Sequence, residues 1–212
     1  MKTAKNIPSP TAGRREKKRD ATRARLLETA FELFREKGYD ATTVDDIVLA
    51  ADFVKGTFYY HFESKESIVF ALLSDEIGVL VERVRKQLDD RELTAVQILD
   101  NFQLHVATWT RANPQVSLAI MKLMDSPLAH LRDDPPVFDP DWSYLHMMQA
   151  IFERGQEEGT IRKDVDVNEL IATFIVLQRQ MRREVLAHPR VSLRKHVSTW
   201  TSLLLHGIGG VG

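Results

Sequence analysis

The chain has 212 residues, 43% of them hydrophobic, which is enough for one large domain or two modest ones around a genuine apolar core. It has no cysteine, which excludes disulfides, thiolate metal sites and thiol redox sensing and points to a cytoplasmic protein. No apolar run approaches the roughly 18 to 20 residues that cross a bilayer. The formal net charge of −1 would argue against nucleic acid, but the charge is unevenly spread: residues 1–25 carry nine Lys or Arg against only Glu16 and Asp20.

Residues 1–18 mix Pro8, Pro10 and Gly13 with basic residues. Such a composition buries too little surface to offset its ordering entropy, so a flexible basic arm is expected there, and Lys2 and Lys5 lead into Pro8, Ser9 and Pro10, not into the apolar stretch of a signal peptide. Arg14, Arg15 and Arg19 are candidates for phosphate or minor-groove contacts; the plain alternative is a solvated tail. From Asp20 to Lys37, Leu26, Leu27, Ala30, Phe31 and Phe34 recur at helical spacing, and Gly38 is a C-terminal stop.

The stretch from Thr42 to Lys65 carries the functional signal. Thr42 and Thr43 are hydroxyl caps ahead of Val44, Ile47, Val48 and Ala51, whose spacing places one apolar stripe on a short helix. A tight turn is expected at Ala51 to Val54, then a helix over Lys55 to Phe62. That second helix should bury Phe58 and Phe62 and leave Lys55, Gly56, Thr57, Tyr59, Tyr60 and His61 facing outward. Adjacent outward tyrosines solubilise poorly but suit phosphate oxygens and thymine methyls. On apolar spacing alone, an ordinary helical hairpin fits the same stretch equally well.

The order Gly38-Tyr39, Thr42-Thr43, Ile47-Val48, Gly56-Thr57-Phe58-Tyr59, Tyr60-His61-Phe62, Ser64-Lys65-Glu66 resembles the DNA-binding half of TetR-type transcriptional regulators. The resemblance implies an all-α protein of about nine helices. It would consist of a three-helix helix-turn-helix head over residues 19–65 and a larger helical ligand-binding and dimerisation domain over residues 66–212. It also implies a homodimer on a double-stranded DNA operator, a small-molecule effector of unknown identity, and DNA contacts from Thr43, Lys55, Gly56, Thr57, Tyr59, Tyr60, His61 and Lys65. The chain departs from the family in the turn, where Asp52-Phe53-Val54 replaces the usual Gly-Val-Ser. Aspartate tolerates the left-handed conformation, and Phe53 should still face the core. Val54 can neither cap the recognition helix nor bind a phosphate.

Beyond the head, Ser64 with Ser67 as an alternative cap opens a helix whose stripe Ile68, Leu72, Ile77, Leu80, Val81, Val84 and Leu88 runs to Asp89-Asp90. This is long enough to act as a lever. Helices are expected over Leu93 to Arg111, Gln115 to Asp125, Trp142 to Glu158, Asp166 to Ala187 and Ser192 to Leu205, with a Pro- and Asp-rich loop at 126–141. The helix from Asp166 is apolar almost all round, so one face is assigned to the chain's own core. The other is assigned to a second copy through Leu170, Phe174, Ile175, Val197, Trp200 and Leu204.

An enzyme is the rival class, and no convergent acid, base, nucleophile, metal or cofactor site emerges. The seven histidines are scattered, with no His pair at i, i+4 and no phosphate-cradling glycine loop. For the effector, Phe102, His105, Trp109, Met121, Met124, Trp142, His146, Met147, Phe174 and Gln178 combine bulky apolar surface with polar handles, although each also suits plain core packing.

Overall fold

The computed structural model describes residues 10–125 and 144–206. Among these residues the protein is all-α: α1 (Pro10–Lys37), α2 (Val44–Ala51), α3 (Lys55–His61), α4 (Lys65–Asp89), α5 (Ala95–Ala112), α6 (Pro114–Met124), α7 (Tyr144–Glu158), α8 (Val167–Ala187) and α9 (Leu193–His206). The expected loop at 126–141 and the tail 207–212 lie outside the described residues.

Two compact units divide the chain after Leu72, inside α4 and not at residue 65 as expected. The reason lies in α4's first turns. Ile68, Val69 and Ala71 are buried with the head, so the head's core claims two turns of that helix.

The expected basic arm needs correction. From Pro10 onward it is the first part of α1, so only residues 1–9 remain outside the described chain. Proline fits the first helical turn, where its missing N–H has no partner to lose, and the Arg, Glu and Lys that follow are good helix formers that outweigh the single Gly13.

In the first unit, Leu26, Ala30, Phe34, Ile47, Phe58 and Ile68 are fully buried. Phe31, expected in this core, is only half-buried and lies under the Arg35 guanidinium, 5.8 Å from ring centroid to Cζ. In the second unit, α5 is the central helix, packing against α7, α8 and α9. Phe102, Phe152 and Phe174 form its aromatic centre, with Phe174 within 6 Å of both partners. Arg154 of α7 ties the α4–α5 connection down: its guanidinium donates to the carbonyls of Leu88, Asp90 and Leu93 and to Glu158 Oε1, while Glu158 Oε2 accepts the Ala95 N–H.

Candidate nucleic-acid interface

Each turn of the head has a local cause. Gly38 stops α1 in the left-handed region at φ 85°, its N–H returning to Phe34 O. Buried Thr42 donates to Gly38 O at 2.7 Å. Thr43 and Asp46 form a reciprocal capping box on α2, and Lys37 Nζ sits 2.8 Å from Asp46 Oδ2. That ammonium, with the hydroxyl and N–H of Thr43, holds the Asp46 carboxyl well below the usual carboxylate range. Thr43 is exposed, but its hydroxyl is occupied in the cap, so any DNA contact must share it.

Asp52 ends α2 at φ 60°, ψ 46°, as its turn position requires, and Phe53 N–H closes the turn onto Val48 O at 2.8 Å. Phe53 is half-buried. Val54 stands at the cap position of α3 and offers no side-chain hydrogen bond, the loss expected from its replacing serine. Phe58 of α3 and Phe62, which caps the C-terminus of that helix, are buried with ring centroids 5.9 Å apart, while Tyr59 and Tyr60 are 56% and 73% exposed. Gly56 has open space where a Cβ would stand, so nothing inside the chain requires a glycine there. Lys55 is exposed but paired with Asp45 at 2.9 Å, and Thr57 is half-buried. His61 is half-buried; partial burial first, then Arg23 and Arg19, hold its imidazole below the ordinary value and favour its neutral form. Arg14, Arg15 and Arg19 are exposed along α1.

Lys65 departs from the expected DNA contact. Its ammonium donates to Tyr39 O and Thr42 O, both at 2.7 Å, and lies 4.0 Å from the Tyr39 ring centroid. Beside it, Tyr39 Oη donates to Glu66 Oε1 at 2.6 Å. This bond holds the Glu66 carboxyl below its ordinary value, and burial, then Glu66, pushes the Tyr39 hydroxyl up. Lys65 therefore clamps the turn before α2 to the start of α4. The signal for this was available in Tyr39 and Glu66, but only folding brings residues 26 and 27 positions apart together. Ser64 and Ser67 both serve the α4 cap, each accepting the other's N–H.

The second unit sorts the expected effector residues. Phe102, Met147, Phe174 and Gln178 are buried, and Trp109, Met121 and Met124 are half-buried. His105 Nε2 lies 2.7 Å from Glu76 Oε1. His146 is exposed on α7 and does not join the interior, because the helix turns it opposite to Met147 and Met148; Trp142 lies outside the described residues. Of the expected dimer residues, Leu170, Phe174 and Val197 are buried within one chain, because α8 and α9 turn these positions onto α5. Ile175, Trp200 and Leu204 stay half-buried. Sequence reasoning passed over Val176, which is 65% exposed, and Leu203, also exposed.

Residues 26–72 match the family described as bacterial regulatory proteins, tetR family, a segment that ends with the first unit. The chain is 30% identical over 176 residues to the HTH-type transcriptional repressor KstR2 of Mycolicibacterium smegmatis, covering 81% of this chain and 78% of that one. It is 29% identical over 163 residues to the repressor DhaR of Mycobacterium sp. strain GP1, covering 76% and 80%. Thermus thermophilus FadR, a TetR-family repressor solved with lauroyl-CoA, superposes with a TM-score of 0.72 at 24% identity, covering 90% of this chain and 96% of that one. The chain belongs to the TetR family. It is a helix-turn-helix DNA-binding transcriptional regulator.

Proposed function

We propose that this protein acts in the cytoplasm as a homodimeric repressor that binds a double-stranded DNA operator through α3 and is released by a small molecule held in the second unit. The observation that carries this is the outward face of α3: two largely exposed tyrosines and an unobstructed Gly56, on a helix whose buried face is a conventional Phe58–Phe62 core. Tyr59, Tyr60, Thr57 and Lys55 meet phosphates and base edges, Gly56 permits close approach to the groove, and Arg14, Arg15 and Arg19 add phosphate contacts from α1. Lys65 positions the head and does not touch DNA.

A single head reads few base pairs, so two must be held by a dimer contact. Val176 and Leu203, with half-buried Ile175, Trp200 and Leu204, provide the apolar surface on α8 and α9 for that contact. The relatives named as repressors support repression, and none of them is named as an enzyme. The acyl-CoA carried by the Thermus FadR structure supports an effector with a long apolar body. Because α4 belongs to both units, it provides the covalent route from effector to head.

A mobility shift against the DNA upstream of the gene, with sedimentation of the same preparation, tests this. A shifted band from a dimer is expected, with affinity falling as salt rises. A wild-type protein that is monomeric at micromolar concentration, or that gives no shift at low salt, overturns it.

A further inference from the structure

The interior of the second unit contains charged and polar groups that its own residues do not satisfy. Gln178, 7% exposed on α8, has neither its amide oxygen nor its amide nitrogen hydrogen-bonded. One turn further along the same face is Arg182, whose guanidinium makes, among the described residues, a single hydrogen bond, to Thr110 Oγ1 of α5 at 3.4 Å. One modest partner leaves most of the five N–H donors of the guanidinium unused by the described residues. Two other helices contribute. Tyr144 of α7 and Glu76 of α4 both interact electrostatically with Arg182, and Glu76 Oε1 is already engaged by His105 Nε2 at 2.7 Å. Desolvation pushes Arg182 below its ordinary value and Tyr144 up to about 12, yet both side chains keep some accessible surface. Phe102 of α5 supplies apolar surface among the same helices, 6.2 Å from Tyr144 and 5.8 Å from Phe174 between ring centroids.

We infer that Arg182 and Gln178 bind the carboxylate of an effector whose apolar body lies against Phe102 and Phe174. This rests on the proposal that the second unit binds an effector, and it deepens that proposal by naming the ligand's head group. The guanidinium fork matches a planar carboxylate in two parallel hydrogen bonds, and the amide nitrogen of Gln178 adds a third donor. Glu76 offsets part of the attraction of Arg182 for any anion, so recognition depends on the fork and not on net charge. An uncharged head group would leave the guanidinium unpaired, a costly state in an enclosed site.

The full-length protein should be titrated with decanoate, decanol and decanoyl-CoA by calorimetry, in parallel with Arg182→Met and Gln178→Leu. Decanoate is expected to bind wild type at least tenfold more tightly than decanol. Arg182→Met should weaken decanoate by on the order of tenfold to a hundredfold and leave decanol unaffected, with Gln178→Leu lying between. The thermal midpoint of ligand-free Arg182→Met should equal or exceed that of wild type, because a desolvated charge with a single modest hydrogen bond has been removed. A clear fall in that midpoint would make Arg182 a structural tie and overturn the inference. So would decanol binding as tightly as decanoate, no decanoate binding, or tight decanoyl-CoA binding with the same loss on Arg182→Met, which would place a phosphate at the fork. Operator release is read separately: release of both wild type and Arg182→Met by decanoyl-CoA would keep the repressor proposal and reject this one, whereas no operator binding by wild type rejects the repressor proposal itself.

Discussion

The two units differ in how completely they satisfy buried polarity, although the second also pairs buried Gln103 with Thr201. In the head, the buried polar side chain Thr42 is bonded to the Gly38 carbonyl, and Lys65, Tyr39 and Glu66 close on one another and on the backbone. Among the described residues, the buried side-chain atoms without partners, on Gln87, Ser117 and Gln178, all belong to the second unit. A head that must present one rigid surface to a duplex is built with its interior closed. On the proposed function, a unit that accepts a guest keeps hydrogen-bonding capacity inside, at a cost in its own stability. Apolar packing does not separate the two, since both have fully buried phenylalanines at their centres.

That contrast can be broken most severely at Phe58, which is fully buried and packs against Phe62. Phe58→Ala should cost about 3–5 kcal/mol, unfold a head of this size and abolish operator binding. Circular dichroism melting read beside a mobility shift checks it, and a stable variant with full DNA affinity would show that the head does not depend on this core.

A smaller effect is expected at Lys65. Lys65→Ala removes charge-assisted hydrogen bonds to two carbonyls and should destabilise the head by about 2 kcal/mol, seen as a lowered denaturant midpoint with unchanged slope. If instead stability were unchanged while affinity for DNA fell with a shallower salt dependence, Lys65 would be a phosphate contact after all.

Tyr59→Ala and Tyr60→Ala should do the reverse. Each is expected to weaken operator binding by about tenfold, or about 1.4 kcal/mol, with the thermal midpoint within a degree or two of wild type, because exposed side chains contribute little to folding. Equal affinity of both variants and wild type at fixed salt removes α3 as the DNA face.

The sharpest comparison is the smallest in magnitude and pairs one hydroxyl from each unit. Thr42→Val deletes a satisfied, fully buried hydroxyl at nearly constant shape and should cost about 1 kcal/mol, leaving the Gly38 carbonyl without its side-chain donor. Ser117→Ala deletes a fully buried hydroxyl that has no partner and should cost nothing or stabilise slightly. Equal losses for the two substitutions, measured by denaturant unfolding, would erase the distinction drawn between the units.

The sequence by itself determined whatever depends on neighbours along the chain. Helical spacing and caps located the nine helices among the described residues to within a few residues in most cases, because an N-cap hydroxyl, a C-terminal glycine and a three-to-four-residue apolar stripe act over one turn. The same locality made Asp52 readable as a left-handed turn residue and Val54 as a missing cap. The start of α1 was misjudged because two prolines and a glycine suggest disorder by composition, whereas a proline in the first turn costs a helix nothing.

Tertiary structure alone decided which way a side chain faces once two faces are both plausible. Lys65 read as a DNA contact because an ammonium beside a recognition helix invites one; folding places it on carbonyls 23 and 26 residues away. Leu170 and Phe174 read as partner surface because α8 is apolar nearly all round, and only its packing against α5 and α9 shows which side the chain covers itself. Arg182, Glu76 and Thr110 went unnoticed although each interrupts or borders an apolar stripe, because a charge in such a stripe gains meaning only when the opposing helices show what it meets. Pairing between distant residues is a property of the folded packing, and no local pattern encodes the partner.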